Sequence, residues 1–211
     1  KRKNEMLKIK ETLSRDNIET IGNEFFTRKT CGEGVYEHSY VENQKENYSL
    51  TLKNILNKCR FEKKYIITYF TSSDDEYELI DGQEHRYPYW NNQKMAIRQI
   101  ADICKSNNYY FIVRVHPNLK NKAKKEQVSW NRLGKEIETM NFKWFDQNDS
   151  EPSYKILKNS DLIITSGSTI GIEAIFLEKP SIVIAPCKYD GEITGVKLCD
   201  SAKDLQKILN E

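Results

Sequence analysis

The feature that most constrains this chain is a series of short, uniformly apolar runs, recurring from residue 65 onward and separated by segments with helical spacing. Tyr65 to Phe70, Tyr109 to Val115, Asp161 to Thr165 and Ser181 to Ala185 carry apolar or β-branched residues at almost every position rather than at alternate ones. A strand with one wet face alternates, whereas a strand apolar on both faces is covered on both faces, as parallel strands between helices are. Between these runs, Gln93 to Ser106 places Ala96, Ile97, Ile100, Ala101 and Cys104 on one helical stripe, and a second stripe carries Trp130, Leu133, Ile137 and Met140. A short strand at Phe142 to Phe145 and a short helix near Tyr154 to Leu157 come next. The run ending at Thr165 feeds a helix reaching about Leu177, and Pro180 blocks its continuation. A last helix opens at Ser201, a natural cap, and buries Leu205, Ile208 and Leu209. This order specifies an α/β protein with a Rossmann-like, doubly wound, mostly parallel sheet.

The pattern begins only near residue 62. Residues 1–61 read as an N-terminal extension, mainly helical or irregular, or as a linker from a preceding domain. Within it, Leu52, Ile55, Leu56 and Cys59 fall at helical spacing behind Ser49. Residues 62–211 read as the Rossmann-like domain. With 211 residues there is room for one such domain and an extension, and two full domains would be tight. No apolar run reaches the roughly 18–20 residues of a membrane span, and the basic start lacks the apolar core of a signal peptide, so the expected location is cytoplasmic. A net charge of +2 gives no field suited to nucleic acid. Five widely spaced cysteines with no C-x-x-C pair read as reduced thiols.

In a doubly wound sheet, ligands bind outside the carboxyl ends of the strands. Thr71 to Asp75, His116 to Asn118 and Ser166 to Thr169 occupy that edge, and all are polar. Ser72 and Ser73 offer hydroxyls there. Ser166-Gly167-Ser168-Thr169 directly precedes a helix, whose first N–H groups and dipole favour an anion. Gly167 permits close backbone approach, and Ser168 and Thr169 can donate to phosphate oxygens; ordinary helix capping is the competing role. His116, ending a buried strand before Pro117, can donate to a phosphate or protonate a leaving group. Glu173, one turn into the following helix, either complements the dipole or accepts a pair of ribose hydroxyls. Asp74-Asp75-Glu76 reads as a solvated loop rather than a metal site, so no metal is expected. Lys120, Lys122, Lys124 and Lys125 form a basic cluster, solvated by default and otherwise suited to an anionic substrate or lipid surface. His38 and His85 have no comparable placement.

Three segments together resemble the C-terminal, donor-binding domain of bacterial capsule and O-antigen glycosyltransferases of the GT-B fold. They are Phe70 to Glu76, Arg114-Val115-His116-Pro117-Asn118-Leu119, and Ser166 to Ala174 with Lys179-Pro180-Ser181. The resemblance covers about residues 62 to 190. The His-Pro and Ser/Thr segments are also similar to bacterial sialyltransferases, Kdo transferases and CDP-glycerol polymerases. That likeness implies that His116 contacts the donor nucleotide and that Ser168 and Thr169 hold its phosphate. It further implies a nucleotide-sugar donor of cytidine or uridine type with no other cofactor, and a glycan or lipid-linked glycan acceptor. The setting would be surface polysaccharide biosynthesis, with peripheral association at the inner face of the plasma membrane. Such sialyltransferases take their general base from an acidic pair followed by glycine; Asp74-Asp75-Glu76-Tyr77 lacks the glycine, so that role is not transferred. No second Rossmann domain is legible in residues 1–61, so the acceptor half and the base are expected elsewhere.

Two alternatives compete. Non-hydrolysing UDP-N-acetylglucosamine 2-epimerases share the GT-B fold, a His-Pro-Asn segment and a Ser-Gly-Gly loop. They carry two adjacent glutamates where this chain has Ile172 and Glu173. The other alternative is a nucleotide-binding module without catalysis.

Overall fold

The computed structural model describes residues 14–30, 49–72, 90–137, 140–185, 187, 189 and 193–210. The chain forms two compact units, residues 1–46 and 47–211. In the first, helix α1 (Arg15–Thr30) starts behind Ser14, whose hydroxyl accepts the Asn17 N–H. Asp16 in its first turn and Arg28 and Lys29 in its last complement the helix dipole.

The second unit holds a parallel sheet whose strands, among the described residues, are β1 (Ile66–Phe70), β2 (Tyr110–Arg114), β3 (Phe142–Phe145), β4 (Leu162–Thr165), β5 (Ser181–Val183) and β6 (Val196–Leu198). Their spatial order is β3-β2-β1-β4-β5-β6, the Rossmann order, with every neighbouring pair parallel. The strands progress outward from β1 to β3, then restart at β4 on the other side of β1. The point of reversal lies between β1 and β4.

Helices α2 (Leu50–Glu62), α3 (Gln93–Ser106), α4 (Lys124–Glu136), α5 (Ser153–Lys158), α6 (Ile170–Phe176) and α7 (Ala202–Leu209) cover the sheet. The period-2 alternation of each strand sends its residues to two separate cores. Ile67, Tyr69, Phe111, Val113 and Ile164 face α3, α4 and α7, with Ile97, Ile100, Leu133 and Leu205 packed against them. Ile66, Phe70, Tyr110, Ile112 and Ile163 face α2, α5 and α6, with Leu52, Ile55, Ile156 and Ala174. Crossovers β1-α3-β2 and β2-α4-β3 run one way and β4-α6-β5 the other, so right-handed connections place their helices on opposite faces. Each fully buried Leu or Ile contributes about 1.5–3 kcal/mol. Helix α2, which the sequence pattern groups with the extension, seats Leu52, Ile55 and Cys59 in the second core.

Helix starts follow the capping residues. Ser49 accepts the Leu52 N–H, Asn92 the Met95 N–H and Ser201 the Asp204 N–H. Two expectations need correction, and one strand carries no sequence signal. The stripe through Met140 overextends α4, which ends at Glu136 with Ile137 as its cap; Met140 is 87% exposed because the chain is already turning into β3. The run at Ser181 to Ala185 is laddered only through Val183, although Ile184 still donates its N–H to Thr165 O. Strand β6 escapes an apolar-run reading, since Val196, Lys197 and Leu198 form a half-exposed edge.

Candidate functional site

The exits of β1 and β2 are bound to each other. Thr71 donates its N–H to Arg114 O at 3.1 Å, and its hydroxyl accepts the His116 N–H at 2.8 Å. Ser72, next in line, is clamped by the buried Gln93 at the start of α3. The Ser72 N–H donates to Gln93 Oε1 at 2.8 Å, and Gln93 Nε2 donates to Ser72 O at 3.1 Å. With its backbone satisfied, Ser72 holds its hydroxyl buried and without a partner among the described residues. A buried unpaired hydroxyl is costly unless a ligand completes it.

His116 opens a 3-10 turn, Pro117–Asn121, and its Nδ1 accepts the Asn118 N–H at 3.2 Å. In the neutral ring the proton therefore sits on Nε2, which becomes the donor. The backbone is fixed through Thr71 and the ring through Asn118, so the imidazole's orientation is set independently of any ligand. Lys120 and Lys122 lie in and just after this turn, and Lys124 and Lys125 open α4.

The exit of β4 is built differently from an ordinary helix cap. The Ser166 hydroxyl points into the core, where it meets Tyr69 Oη at 2.5 Å, both residues being fully buried. Gly167 takes φ +94°, a left-handed conformation that favours glycine. The Ser168 N–H donates to Thr165 Oγ1 at 3.2 Å, and Ser168 O accepts both the Gly171 N–H at 3.0 Å and Tyr189 Oη at 2.5 Å. Thr169 stands at the cap position, yet its side chain makes no cap bond; its hydroxyl donates instead to Glu173 Oε1 at 3.0 Å.

Glu173 is buried and accepts at both oxygens, from Thr169 and, at Oε2, from Tyr154 Oη at 2.7 Å. Burial, then the Glu173 charge and this bond, push the Tyr154 phenol far above its usual pKa. The phenol therefore remains a donor, and α5 is fastened to the first turn of α6.

A residue whose role the sequence pattern does not assign completes this edge. Arg114, the buried last residue of β2, donates from Nη1 to Asp146 O at 2.7 Å, from Nη2 to Asp149 O at 3.3 Å and from Nε to Ser153 Oγ at 3.4 Å. These bonds fold the segment after β3 against the sheet, where Glu151 is 3% exposed with neither carboxylate oxygen hydrogen-bonded to a described residue. A buried carboxylate is costly without donors, and no described residue supplies them to Glu151. Glu151 lies one turn before Tyr154, the partner of Glu173. Its sequence signal is slight: an acid followed by a proline that opens α5. Gln93 has less signal still, reading only as a first helical residue after an asparagine cap.

The structure thus gathers Ser72, His116, Ser166, Gly167, Ser168, Thr169 and Glu173 on the carboxyl edge, on both sides of the β1–β4 reversal. Ser166 faces inward, and Glu173 is committed to Tyr154 and Thr169. Ser73 and Asp74-Asp75-Glu76 lie outside the described residues, as do His38 and His85. Among the described residues there is no cluster of His, Cys, Asp and Glu suited to a metal.

The chain matches no curated protein in sequence. Solved structures with similar folds include a UDP-GlcNAc 2-epimerase from Methanocaldococcus jannaschii (17% identity, TM-score 0.49), matched over 77% of this chain and 41% of that one. The Escherichia coli heptosyltransferase WaaC is matched at 9% identity and TM-score 0.45, over 79% of this chain and 49% of that one. KpsC of Thermosulfurimonas dismutans, a β-Kdo 2,4 transferase, is matched at 15% identity and TM-score 0.39, over 75% and 52%. The chain therefore spans about half or less of the length of each. Its own sheet order and helix layers give it a Rossmann-like architecture. A family model described as "putative O-antigen biosynthesis protein" matches residues 12–189, and the chain belongs to that O-antigen biosynthesis family.

Proposed function

We propose that this chain is the donor-binding half of a glycosyltransferase in bacterial surface or capsule polysaccharide biosynthesis, taking a nucleotide-sugar at the carboxyl edge of its sheet. One observation carries the reading: Ser72 at the exit of β1 and Glu151 in the segment leaving β3 hold buried polar oxygens that no described residue satisfies. A nucleotide-sugar supplies what these groups lack. Its ribose presents two adjacent hydroxyls, which the open Glu151 carboxylate can accept, while Glu173 is already occupied by Tyr154 and Thr169. Its phosphates are acceptors suited to the His116 Nε2 proton, to the Ser168 hydroxyl and to the amides that open α6, the Thr169 hydroxyl being given to Glu173.

In the proposed reaction the departing nucleoside phosphate gathers negative charge as the bond to the sugar breaks. The same donors stabilise that charge, and His116 assists by hydrogen bond or proton, without a metal. A cytidine or uridine nucleotide is the proposed carrier. The acceptor, a glycan or lipid-linked glycan, and the catalytic base would belong to the facing half of the GT-B cleft. The working place would be the cytoplasmic face of the plasma membrane; no helix among the described residues is long and apolar enough to cross it.

Calorimetric titration with CMP, CDP, UDP and GDP tests the reading, which requires saturable binding of a pyrimidine nucleotide. The epimerase alternative is favoured by the His-Pro-Asn segment at residues 116–118. Against it, Ile172 stands where that family has a glutamate, and Glu173 is bonded internally. Incubation with UDP-N-acetylglucosamine and detection of the manno epimer would decide for that alternative. Nucleotide binding without transfer, once the facing half is supplied, would decide for a non-catalytic module.

A further inference from the structure

The loop proposed to hold the donor phosphate is gripped from a direction that its own sequence does not reveal. Tyr189 follows β5, is 8% exposed, and donates its phenolic proton to the carbonyl of Ser168 at 2.5 Å. The Gly171 N–H reaches the same carbonyl at 3.0 Å, so the oxygen is held from two sides. A peptide unit is planar and trans, so fixing the Ser168 carbonyl also fixes the Thr169 N–H, which points the opposite way. The Ser168 N–H is held separately by Thr165 Oγ1. Tyr189 therefore governs one rotation in particular, that of the plane between Ser168 and Thr169.

Gly171 makes this contact geometrically feasible. A Cβ at that position would lie 2.6 Å from Tyr189 Oη, 3.1 Å from Ser181 Oγ and 3.2 Å from Thr165 Cγ2. Glycine weakens a helix relative to alanine, and its place in the first turn of α6 is explained by the phenol tip lodged against it. On the opposite flank Tyr154 holds Glu173, which in turn holds the Thr169 hydroxyl. Two tyrosines from separate elements thus fix the backbone and the side chains of one short loop.

Resting on the donor-site reading above, we propose that Tyr189 is a positioning residue for donor phosphate. Its hydroxyl turns the Ser168–Thr169 peptide so that the Thr169 N–H and the Ser168 hydroxyl act on the phosphate together, and Gly171 stays bare to admit it.

The test uses the full chain, with Tyr189→Phe to delete only the hydroxyl and Gly171→Ala to push the phenol away while leaving it intact. Affinities for CDP or UDP, whichever the wild type binds, and for the matching nucleoside lacking phosphate are measured by titration. Each variant is expected to lose about tenfold in diphosphate affinity, the equivalent of one hydrogen bond, with nucleoside affinity unchanged. Because Ser168 O keeps the Gly171 N–H in Tyr189→Phe, that variant should stay folded. Wild-type diphosphate affinity in folded Tyr189→Phe overturns the proposal. So does an equal loss for diphosphate and nucleoside, which would mark a purely structural role. If the wild type binds no nucleotide, the donor-site reading falls and this proposal with it; if it binds and the variants match it, only this proposal falls.

Discussion

Tyr69 of β1 and Ser166 at the end of β4 join their hydroxyls at 2.5 Å, both side chains fully buried, across the point where the strand order reverses. A Rossmann sheet is open there, because the crossovers on its two sides depart in opposite directions. The bond ties the first residue of the Ser166–Thr169 loop to the neighbouring strand, so the loop starts from a fixed origin.

Tyr69→Phe deletes that tie without changing shape. Loss of one buried hydrogen bond should destabilise the fold by about 1–2 kcal/mol. Nucleotide affinity should fall severalfold as the start of the loop loosens. Urea unfolding and nucleotide titration of the variant check the two effects. An unchanged midpoint would show that the hydroxyl contact contributes nothing.

Glu151 makes a prediction with opposite signs for stability and binding. Exchanging its buried, unbonded carboxylate for a neutral amide of the same shape, Glu151→Gln, should stabilise the free protein by about 1 kcal/mol. It should also weaken a ribonucleotide about tenfold, because the amide is a poorer acceptor for two hydroxyls. The 2′,3′-dideoxy analogue should bind wild type and variant alike. Equal loss for both nucleotides would remove Glu151 from ribose recognition.

The buried thiols predict an alkaline limit to stability. Burial pushes Cys104 up to about 12 and is the main cause raising Cys59 and Cys199 to about 11, from an ordinary value of 9.0. Between these values the unfolded chain has lost protons that the folded chain keeps, so the unfolded state binds fewer protons and stability falls as pH rises. The contribution is constant below about pH 9 and declines progressively above it. Unfolding midpoints from about pH 7 to about pH 10.5 should bend downward above about pH 9, and Cys59→Ala with Cys199→Ala should flatten the bend. A bend of equal depth in the double variant would assign it to other groups.

The legible parts of this molecule are those that local pattern determines. Strands β1, β2 and β4 announce themselves because both faces are buried, and α3 because Ala96, Ile97, Ile100 and Cys104 form one stripe. His116 and Ser166 to Thr169 are legible as loops once the strands before them are. Strand β6 is hidden because an edge with exposed Lys197 has no apolar signature, and Met140 misleads because its spacing continues past the real end of α4. The clamp of Gln93 on Ser72 and the isolation of Glu151 are tertiary facts. The first needs α3 to begin beside the exit of β1; the second needs Arg114 to fold the 146–153 segment inward. Neither follows from spacing along the chain.

A nucleotide site at the β1–β4 edge is the central claim, and thermal unfolding with CMP, CDP, UDP and GDP tests it most directly. A cytidine or uridine nucleotide at about 100 times its dissociation constant should add about 2.7 kcal/mol to the folded state. The resulting rise in Tm should be lost in His116→Ala, measured against that variant's own ligand-free Tm, because the substitution also removes the ring's bond to the Asn118 N–H while Thr71 still holds the backbone of residue 116. A flat Tm with all four nucleotides, or a rise that survives in His116→Ala, would contradict it.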